Sequence, residues 1–348
     1  MRKWIAVGTA ALAVGLAVLA SASAGPPRFA WHLTPTGSTA RLRGLSAVSS
    51  RVAWTSGSEG TVLRTLDRGE VWQNVSPPGT SALQFRDIEA FDAEHAAILS
   101  IGNGTDSRVY VTSDGGAHWT LGFQNTDPSA FYDCMAFFDR EHGLAVSDPV
   151  NGRFRIILTS DGGRSWRLAD GTMPPALPGE AGFAASGECL TTSGGRDAWF
   201  GSGGGAHARV FHSRDRGEDW QVSSTPIRSA PTAGIFALAF RNPRDGLAAG
   251  GDFTTPTIAP DALARTFDRG ESWRIVAAAP NEYRSGATWL NQRIAIVVGP
   301  TGSDVSLDGG YSWQGFDSGS FDTVDCAHGN ACWASGEQGR AAFLVREK

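Results

Sequence analysis

Arginine side chains recur at matching places in short apolar segments along the chain. When Leu42-Arg43-Gly44-Leu45 is aligned with its later counterparts, Arg43, Arg86 and Arg284 share one equivalent position. Tyr132 fills that position in the third copy. A guanidinium group binds carboxylate or phosphate oxygens through two parallel hydrogen bonds and keeps its charge. If the fold brings these arginines together, they form a receptor for an acidic group.

Carboxyl groups occupy the next position of the same segments. Asp87 and Asp133 share it, and Glu188 falls there too if the cysteines of the third and fourth copies are matched. Two carboxyl groups at a suitable separation hydrolyse glycosidic bonds, one as the acid and the other as the base or nucleophile. The same carboxylates can instead pair with the arginines and neutralise them. Both interpretations stay open from the sequence.

A repeated octapeptide indicates which elements position these side chains. Six segments fit Ser/Thr-x-Asp-x-Gly-x-x-Trp, and their aspartates are 47, 47, 54, 53 and 40 residues apart. Because a β-rich run enters each segment and another short strand leaves it, each segment is predicted to be a hairpin turn. The carboxylate accepts N–H groups of its own turn, the glycine takes a positive φ, and the tryptophan packs between sheets. We therefore expect a structural role for Asp67, Asp114, Asp161, Asp215, Asp268 and Asp308.

The octapeptide resembles the Asp-box, or bacterial neuraminidase repeat, of sialidases, xyloglucanases, sortilin-type receptors and photosystem II assembly and stability factors. The resemblance covers nearly all of the chain after residue 24. It implies a β-propeller in which each box connects the third and fourth strands of a blade. It also implies that the boxes lie on the face away from the ligand site, so that they identify the fold rather than the chemistry.

The number of blades follows from the inner strands. A seventh inner strand begins near Phe321, but no seventh box follows it. Residues 29–33 resemble the strand that leaves each box, so they are predicted to complete the last blade and close the ring. The expected fold is an all-β, seven-bladed β-propeller spanning residues 25–348 as one domain. Loops bearing Asp148, His207 and Asp252, and the insertion 171–187, should overhang its ligand-binding face.

The first 24 residues have the pattern of a secretory signal peptide. Arg2 and Lys3 precede a short apolar stretch, and Ala22-Ser23-Ala24 supplies the small residues of a cleavage site. We expect a periplasmic or secreted protein with no membrane span after cleavage. The net charge of −5 argues against nucleic-acid binding, which needs a basic face. A monomer is expected.

Four cysteines in an exported chain favour disulfides. Cys326 and Cys332 flank a predicted hairpin loop and should form a bridge across it. Cys134 and Cys189 hold equivalent places in the third and fourth blades, where a bridge, two buried thiols and a redox site are all possible. The seven histidines show no ligand-like spacing, so no metal site is predicted, and no cofactor motif is present.

The motifs favour a binding or assembly propeller that recognises a protein segment or an acidic ligand at its upper face. The single propeller most resembles the photosystem II assembly factors, since xyloglucanases pair two propellers around a cleft. The sialidase Phe-Arg-Ile-Pro motif is not reproduced, because residues 153–157 read Arg-Phe-Arg-Ile-Ile. A glycan-active hydrolase that uses paired carboxylates at the channel mouth is the alternative, and its partner would be a glycan.

Overall fold

Seven antiparallel sheets of four strands each are arranged around a common axis in the computed structural model. The structure describes residues 1, 28–327 and 331–347. The predicted all-β, seven-bladed propeller is therefore confirmed. The predicted signal peptide lies almost wholly outside the described residues, and the tip of the hairpin loop after Ala327 lies outside them as well.

Each of the first four blades follows chain order from its inner to its outer strand. Blade 1 consists of β2 (Leu42–Ala47), β3 (Ala53–Gly57), β4 (Val62–Thr65) and β5 (Trp72–Asn74). Blade 2 consists of β6 (Gln84–Ala90), β7 (Ala96–Ile101), β8 (Arg108–Thr112) and β9 (Thr120–Gln124). Blade 3 consists of β10 (Tyr132–Phe137), β11 (Gly143–Val150), β12 (Arg153–Thr159) and β13 (Arg167–Leu168). Blade 4 consists of β14 (Leu190–Ser193), β15 (Asp197–Gly201), β16 (Arg209–Ser213) and β17 (Trp220–Ser224).

The remaining blades use the same order until the chain closes on itself. Blade 5 consists of β18 (Ala233–Phe240), β19 (Gly246–Asp252), β20 (Leu263–Thr266) and β21 (Arg274–Ile275). Blade 6 consists of β22 (Gly286–Trp289), β23 (Ala295–Gly299), β24 (Gly302–Ser306) and β25 (Gln314–Asp317). Blade 7 consists of β26 (Thr323–Ala327), β27 (Ala331–Ser335), β28 (Ala341–Glu347) and β1 (Arg28–Leu33). The described helices are single 3₁₀ turns at Gly104–Asp106, Gly187–Cys189 and Glu337–Gly339, and no described helix is long and apolar enough to cross a membrane.

The N-terminal strand closes the ring as predicted. It pairs antiparallel with β28, from Arg28 opposite Glu347 to Leu33 opposite Ala342. Trp31 is buried between blades 6 and 7, and its indole N–H donates to the Ser303 hydroxyl of blade 6 at 2.9 Å. Closure covers the outer edge of β28, which would otherwise be free to pair with another chain.

The six octapeptides form one repeated turn between the third and fourth strands of blades 1–6. In blade 3, the Gly163 N–H donates to Thr159 Oγ1, and that hydroxyl donates to Asp161 Oδ1, both at 2.9 Å. The Ser165 N–H donates to the same Asp161 oxygen at 2.9 Å. Gly163 has a φ of +85°, which a side chain would strain. The carboxylates of all six box positions accept an N–H group of their own turn in this way.

Two disulfides join inner parts of the propeller. The Cys326–Cys332 bridge connects β26 to β27 with a Cα–Cα distance of 4.0 Å, as predicted. The Cys134–Cys189 bridge connects β10 to the segment before β14 with a Cα–Cα distance of 6.1 Å. The sequence left three states open for Cys134 and Cys189, and the structure has the disulfide.

Candidate functional site

A bulge at the upper end of the inner strand aims one side chain into the central opening. In blades 1, 2, 3 and 5, the strand pairing shifts by one residue at this point. Such a bulge leaves the extra residue outside the ladder and redirects its side chain. The residues at the bulge are Arg43, Arg86, Asp133 and Phe236. Arg43 and Arg86 are equivalent as predicted, but Asp133 rather than Tyr132 shares their position.

The bulge residues Arg43, Arg86 and Phe236 line a cavity of about 450 Å³, here called the upper pocket. It lies on the face opposite the octapeptide turns, because strand starts and the loops between second and third strands form it. Its polar wall contains Arg41, Arg43, Arg86, Asp322 and Glu337. Residues 183–185 of the insertion line the pocket too, so the predicted overhang of this insertion is present.

The three arginines of the upper pocket differ in their partners. Arg41 grips Asp322 through two hydrogen bonds of 2.8 and 2.6 Å and lies 3.2 Å from a Glu337 carboxylate oxygen. Among the described residues, neither Arg43 nor Arg86 lies within 4 Å of a carboxylate oxygen. Arg86 donates to the Ala184 carbonyl. Two guanidinium groups of the pocket therefore have no carboxylate partner in the described chain.

Burial changes the electrostatics of these two arginines. It lowers the pKa of the Arg43 guanidinium, although Asp322 opposes the shift. It lowers the pKa of Arg86 to about 10, and the neighbouring positive charges of Arg43 and Arg41 add to the effect. Both groups stay protonated at neutral pH, so the pocket holds partly desolvated positive charge.

Aromatic rings form the opposite wall of the upper pocket. Phe183 stacks on Phe236 with ring centroids 4.4 Å apart, and Tyr283 meets Phe236 edge-on at 4.8 Å. Phe253 completes the cluster and is 48% exposed. The pocket thus combines a cationic wall with an apolar one.

Arg284 lies apart from the other two predicted arginines. It is buried and donates to Asp304 through Nε at 2.8 Å and to Glu282 through Nη2 at 3.0 Å. Gly286 pairs with Val298 in the register in which Gly44 pairs with Ser56, so the equivalent of Arg43 in blade 6 is Ser285. The sequence alignment is therefore one residue out of register here.

Tyr132 also lies away from the pocket. It is buried between blades 2 and 3, where its ring meets Phe123 edge-on at 5.2 Å. Burial raises the pKa of its hydroxyl to about 12. The contacts of Tyr132 are those of a core residue.

Asp87 and Glu188 use their carboxylates to bind the free edges of inner strands. Asp87 accepts the Met135 N–H of blade 3 at 2.6 Å. Glu188 accepts the Thr323 hydroxyl at 2.6 Å and the Val324 N–H at 2.9 Å, and also the Ala287 N–H. Burial raises the pKa of Asp87 to about 7 and that of Glu188 to about 8. These carboxyl groups satisfy strand amides that face the channel.

The segment Ser186–Cys189, here called the plug, fills the middle of the channel. Its 3₁₀ turn contacts the inner strands of blades 1, 2, 3 and 5, while Glu188 reaches blades 6 and 7. Gly187 leaves no room for a side chain, because a Cβ there would lie 2.1 Å from an Asp87 carboxylate oxygen. The plug separates the upper pocket from a cavity of about 300 Å³ near Glu89 and Asp325, here called the lower channel.

Asp133 points beneath the insertion rather than into the upper pocket. It is 2% exposed, and its Oδ2 has no hydrogen-bond partner among the described residues. Asp148 accepts the Gly182 N–H at 2.7 Å and holds the insertion above it. Burial and Asp148 raise the pKa of Asp133 well above its usual range, and Arg86 opposes the shift.

The other overhanging residues have local contacts. Asp252 accepts the N–H and the hydroxyl of Thr254 within its own loop, and His207 is exposed outside the lining of the upper pocket. No group of three or more His, Cys, Asp or Glu side chains in the described part of the chain is arranged to hold a metal ion.

Sequence reasoning missed several residues of the upper pocket. Arg41 and Asp322 form its ion pair, and Phe183, Phe236 and Tyr283 form its apolar wall. The Arg41-Leu42-Arg43 spacing was the one available signal, because a second arginine lies two residues before the first inner-strand arginine. These three aromatic residues come from three separate loops and strands, so no local pattern connects them.

Comparison with known proteins identifies the fold but no family. No family model matches the chain, and no curated protein matches it. Among solved structures, the chain is similar to YCF48 bound to a D1 peptide, with a TM-score of 0.65 and 13% identity over 91% of this chain and 95% of that one. YCF48 from Cyanidioschyzon merolae has a TM-score of 0.66 and 14% identity over 90% and 98% of the two chains.

A glycan-active enzyme has a similar structure. The GH74 xyloglucanase from Xanthomonas campestris has a TM-score of 0.64 and 14% identity over 90% of this chain, which spans 53% of that enzyme. At these identities the likeness establishes the seven-bladed propeller alone. Structural neighbours of this fold thus include a protein with a bound peptide and a polysaccharide hydrolase.

Proposed function

We propose that this chain is an exported binding module whose upper pocket receives an acidic group of a protein segment. The observation that carries the proposal is the pair of half-buried guanidinium groups of Arg43 and Arg86, neither of which has a carboxylate partner among the described residues. Charged groups removed from water bind an opposite charge strongly when it is supplied. A carboxylate between the two would replace the water that they have lost.

The remaining walls define what else the ligand carries. Arg41, Arg43 and Arg86 supply three positive charges, and Asp322 and Glu337 supply two negative ones, which leaves one positive charge in excess. Opposite them lie the rings of Phe183, Phe236 and Tyr283. An acidic residue with an apolar neighbour fits both walls at once. That the solved YCF48 structure contains a D1 peptide supports a protein segment as the occupant.

The positions of the acids favour binding over hydrolysis of a glycan. Glycoside hydrolysis needs two carboxyl groups that face the substrate. Asp322 and Glu337, which line the pocket, both pair with Arg41. Asp133 is covered by the insertion. We therefore keep glycan hydrolysis only as an outcome that the experiment can reveal.

Export is part of the proposal. Two disulfides are compatible with an oxidising compartment, and residues 1–24 have the pattern of a cleaved leader. Expression of the full chain followed by fractionation and N-terminal sequencing should find it outside the cytoplasm, beginning at Gly25. Recovery from the cytoplasm with Met1 retained would contradict export.

The binding claim is tested with fluorescein-labelled hexapeptides that carry one glutamate beside a phenylalanine. The matched control peptide has glutamine in place of glutamate. We expect the acidic peptide to bind at least about tenfold more tightly, and the preference to weaken as salt rises. Arg43→Met and Arg86→Met should each remove most of this preference, whereas Arg284→Met should not.

Two results would overturn this function. Equal binding of the acidic and the control peptide would remove the role of the arginines. Release of reducing sugar from xyloglucan or a sialoside, lost in Asp133→Asn, would instead establish the hydrolase. The Arg284→Met variant separates a general effect of lost positive charge from an effect of the upper pocket.

A further inference from the structure

A second arginine site lies on the opposite face, at the junction between blades 5 and 6. Arg265 of β20 is 3% exposed, and its Nε, Nη1 and Nη2 atoms have no hydrogen-bond partner among the described residues. A buried guanidinium without partners is costly, and natural proteins seldom leave one. The group therefore calls for an acceptor from outside the described chain.

Two aromatic rings enclose this guanidinium. Its central carbon lies 4.4 Å from the centroid of the Phe267 ring and 4.1 Å from that of Tyr311. The rings are nearly parallel, with centroids 6.1 Å apart, and they are 39% and 62% exposed. Rotation of the Tyr311 side chain into solvent would uncover the guanidinium and break few packing contacts.

The repeat supplies a matched control at the junction between blades 1 and 2. Arg64 of β4 holds the position of Arg265, since Arg64 pairs with Gln73 as Arg265 pairs with Arg274. Arg64 donates to the Ala93 carbonyl at 2.7 Å and to Gln73 Oε1 at 2.9 Å. It also lies 3.8 Å from a Glu94 carboxylate oxygen.

At the junction between blades 5 and 6, none of these three partners is available to Arg265. Gln73 is replaced by Arg274, and Glu94 by Arg293, whose carbonyl accepts Gly309 N–H as the Glu94 carbonyl accepts Gly115 N–H. The carbonyl that corresponds to Ala93 belongs to Gln292 and accepts Arg241. Arginines thus stand beside Arg265 at the positions where Arg64 has a glutamine and a glutamate.

We propose that Arg265, with Phe267 and Tyr311, binds a carboxylate side chain of an acidic protein segment on the face of the octapeptide turns. Once Tyr311 has rotated away, the guanidinium can hold a planar carboxylate through two hydrogen bonds beside the Phe267 ring. Arg274 and Arg293 are exposed beside it and attract further acidic residues of the same segment.

Charge on this face favours a protein segment over a lipid surface. The sixth position of the octapeptide is glutamate in blades 1, 4 and 5, namely Glu70, Glu218 and Glu271. The chain also carries a net charge of −5. An anionic bilayer would be repelled by these glutamates because it covers the whole face. A narrow peptide contacts only the cationic junction between blades 5 and 6.

The test uses fluorescein-labelled tetraglutamate, measured by anisotropy at low salt. The Arg43→Met/Arg86→Met double variant serves as the background, so that the upper pocket does not contribute and its proposed function is tested separately. We expect the background protein to bind the probe, and Arg265→Met to weaken binding at least about tenfold. Arg64→Met is the matched control and should bind like the background.

Stability measurements separate binding from a structural role. Arg265→Met should leave Tm unchanged or raise it, whereas Arg64→Met should lower it, because only Arg64 loses hydrogen bonds. If Arg265→Met does not fold, the exposed pair Arg274→Gln/Arg293→Gln should still weaken binding about threefold or more. Unchanged tetraglutamate binding in these variants would overturn the proposal. So would binding of phosphatidylglycerol vesicles, but not tetraglutamate, in an Arg265-dependent manner.

Discussion

The upper pocket and the lower channel both contain ionisable groups removed from water, but they differ in where the partners of those groups lie. At the plug and below it, Asp87 and Glu188 accept inner-strand N–H groups, and Asp325 accepts the Ala47 N–H at 2.8 Å. Above it, Arg43 and Arg86 have no carboxylate partner in the described chain. Three carboxyl groups near the lower channel thus find donors within the chain, whereas two guanidinium groups of the upper pocket have no carboxylate partner among the described residues.

Whether a buried ionisable group has partners within the chain distinguishes a structural group from a ligand-binding one better than its burial or its pKa does. The pKa of Glu188 is raised to about 8, a shift that would by itself suggest a catalytic acid. Its oxygens nevertheless meet three donors of the same chain. The hydrogen bonds left unmade at Arg43 carry more information about ligands than the size of any pKa shift.

The largest expected effect comes from removing the bridge that anchors the plug between the two ends. Cys134 and Cys189 are 55 residues apart, and Cys326 and Cys332 are 6 apart. From loop entropy alone, replacing the first pair with alanine should cost about 4 kcal/mol of unfolding free energy, and the second about 2 kcal/mol. Urea unfolding of the two double variants measures both.

Hexapeptide binding by the same two double variants tests whether the plug separates the two ends of the channel. If the plug keeps the two ends apart, loss of Cys134–Cys189 should also weaken binding of the acidic hexapeptide, since Ala184 and Ala185 precede the plug in the wall of the upper pocket. Loss of Cys326–Cys332 should leave binding intact. Equal losses of hexapeptide binding in the two double variants would show that the plug does not separate the upper pocket from the lower channel.

Glu188→Ala should have the next largest effect. It removes the acceptor of two backbone N–H groups and one hydroxyl, all inside the channel. The expected loss is about 3 kcal/mol of unfolding free energy, because buried donors without acceptors are costly. Asp106→Ala, on a surface turn, is the control. Stability within about 0.5 kcal/mol of the parent would mean that water satisfies these donors in place of Glu188.

The pH dependence of stability should have an unusual sign. The raised pKa values of Asp87, about 7, and Glu188, about 8, mean that the folded chain keeps protons that the unfolded chain has lost. Stability should therefore fall as pH rises from about 5 to 8, because the unfolded chain has already released these protons at about pH 5. Below about pH 4 the turn aspartates act in reverse, since the pKa of Asp114 and that of Asp308 are lowered to about 2.

Thermal unfolding of the parent and of Asp87→Asn/Glu188→Gln across this range provides the measurement. The double variant should have a flatter profile between pH 5 and 8, because it carries neither carboxyl group. A parent Tm that rises over the same interval would contradict the assignment of these groups as buried and protonated.

The fold was readable from the sequence because its signals are local and repeated. Each octapeptide carries its own turn chemistry, and the unit without a box near Phe321 required an additional strand, which residues 29–33 provide. Cys326 and Cys332 are six residues apart on neighbouring strands, so their bridge followed from a hairpin alone.

The upper pocket could be anticipated only in part, because it depends on backbone register. The sequence predicted the shared position of Arg43 and Arg86, but no residue pattern predicts the bulges that turn their side chains inward. The same one-residue ambiguity assigned Arg284 to their position and Tyr132 to the place of Asp133. Asp322 lies 281 residues from its partner Arg41, so no spacing rule connects the two.

The smallest expected effect on stability belongs to Arg43→Met, and it tests the upper end of the comparison. Arg43 forms no ion pair in the described chain, so an apolar side chain of similar length removes an uncompensated charge and keeps the packing. The unfolding free energy should stay within about 1 kcal/mol of the parent, on either side.

Arg41→Met is the matched control, because it leaves the buried Asp322 carboxylate without its partner and should cost about 2 kcal/mol. If Arg43→Met destabilises the fold as much as Arg41→Met, Arg43 neutralises the channel mouth and is not held ready for a ligand. If it leaves stability intact and abolishes the preference for acidic peptide, the unused hydrogen bonds of the upper pocket are those of a binding site.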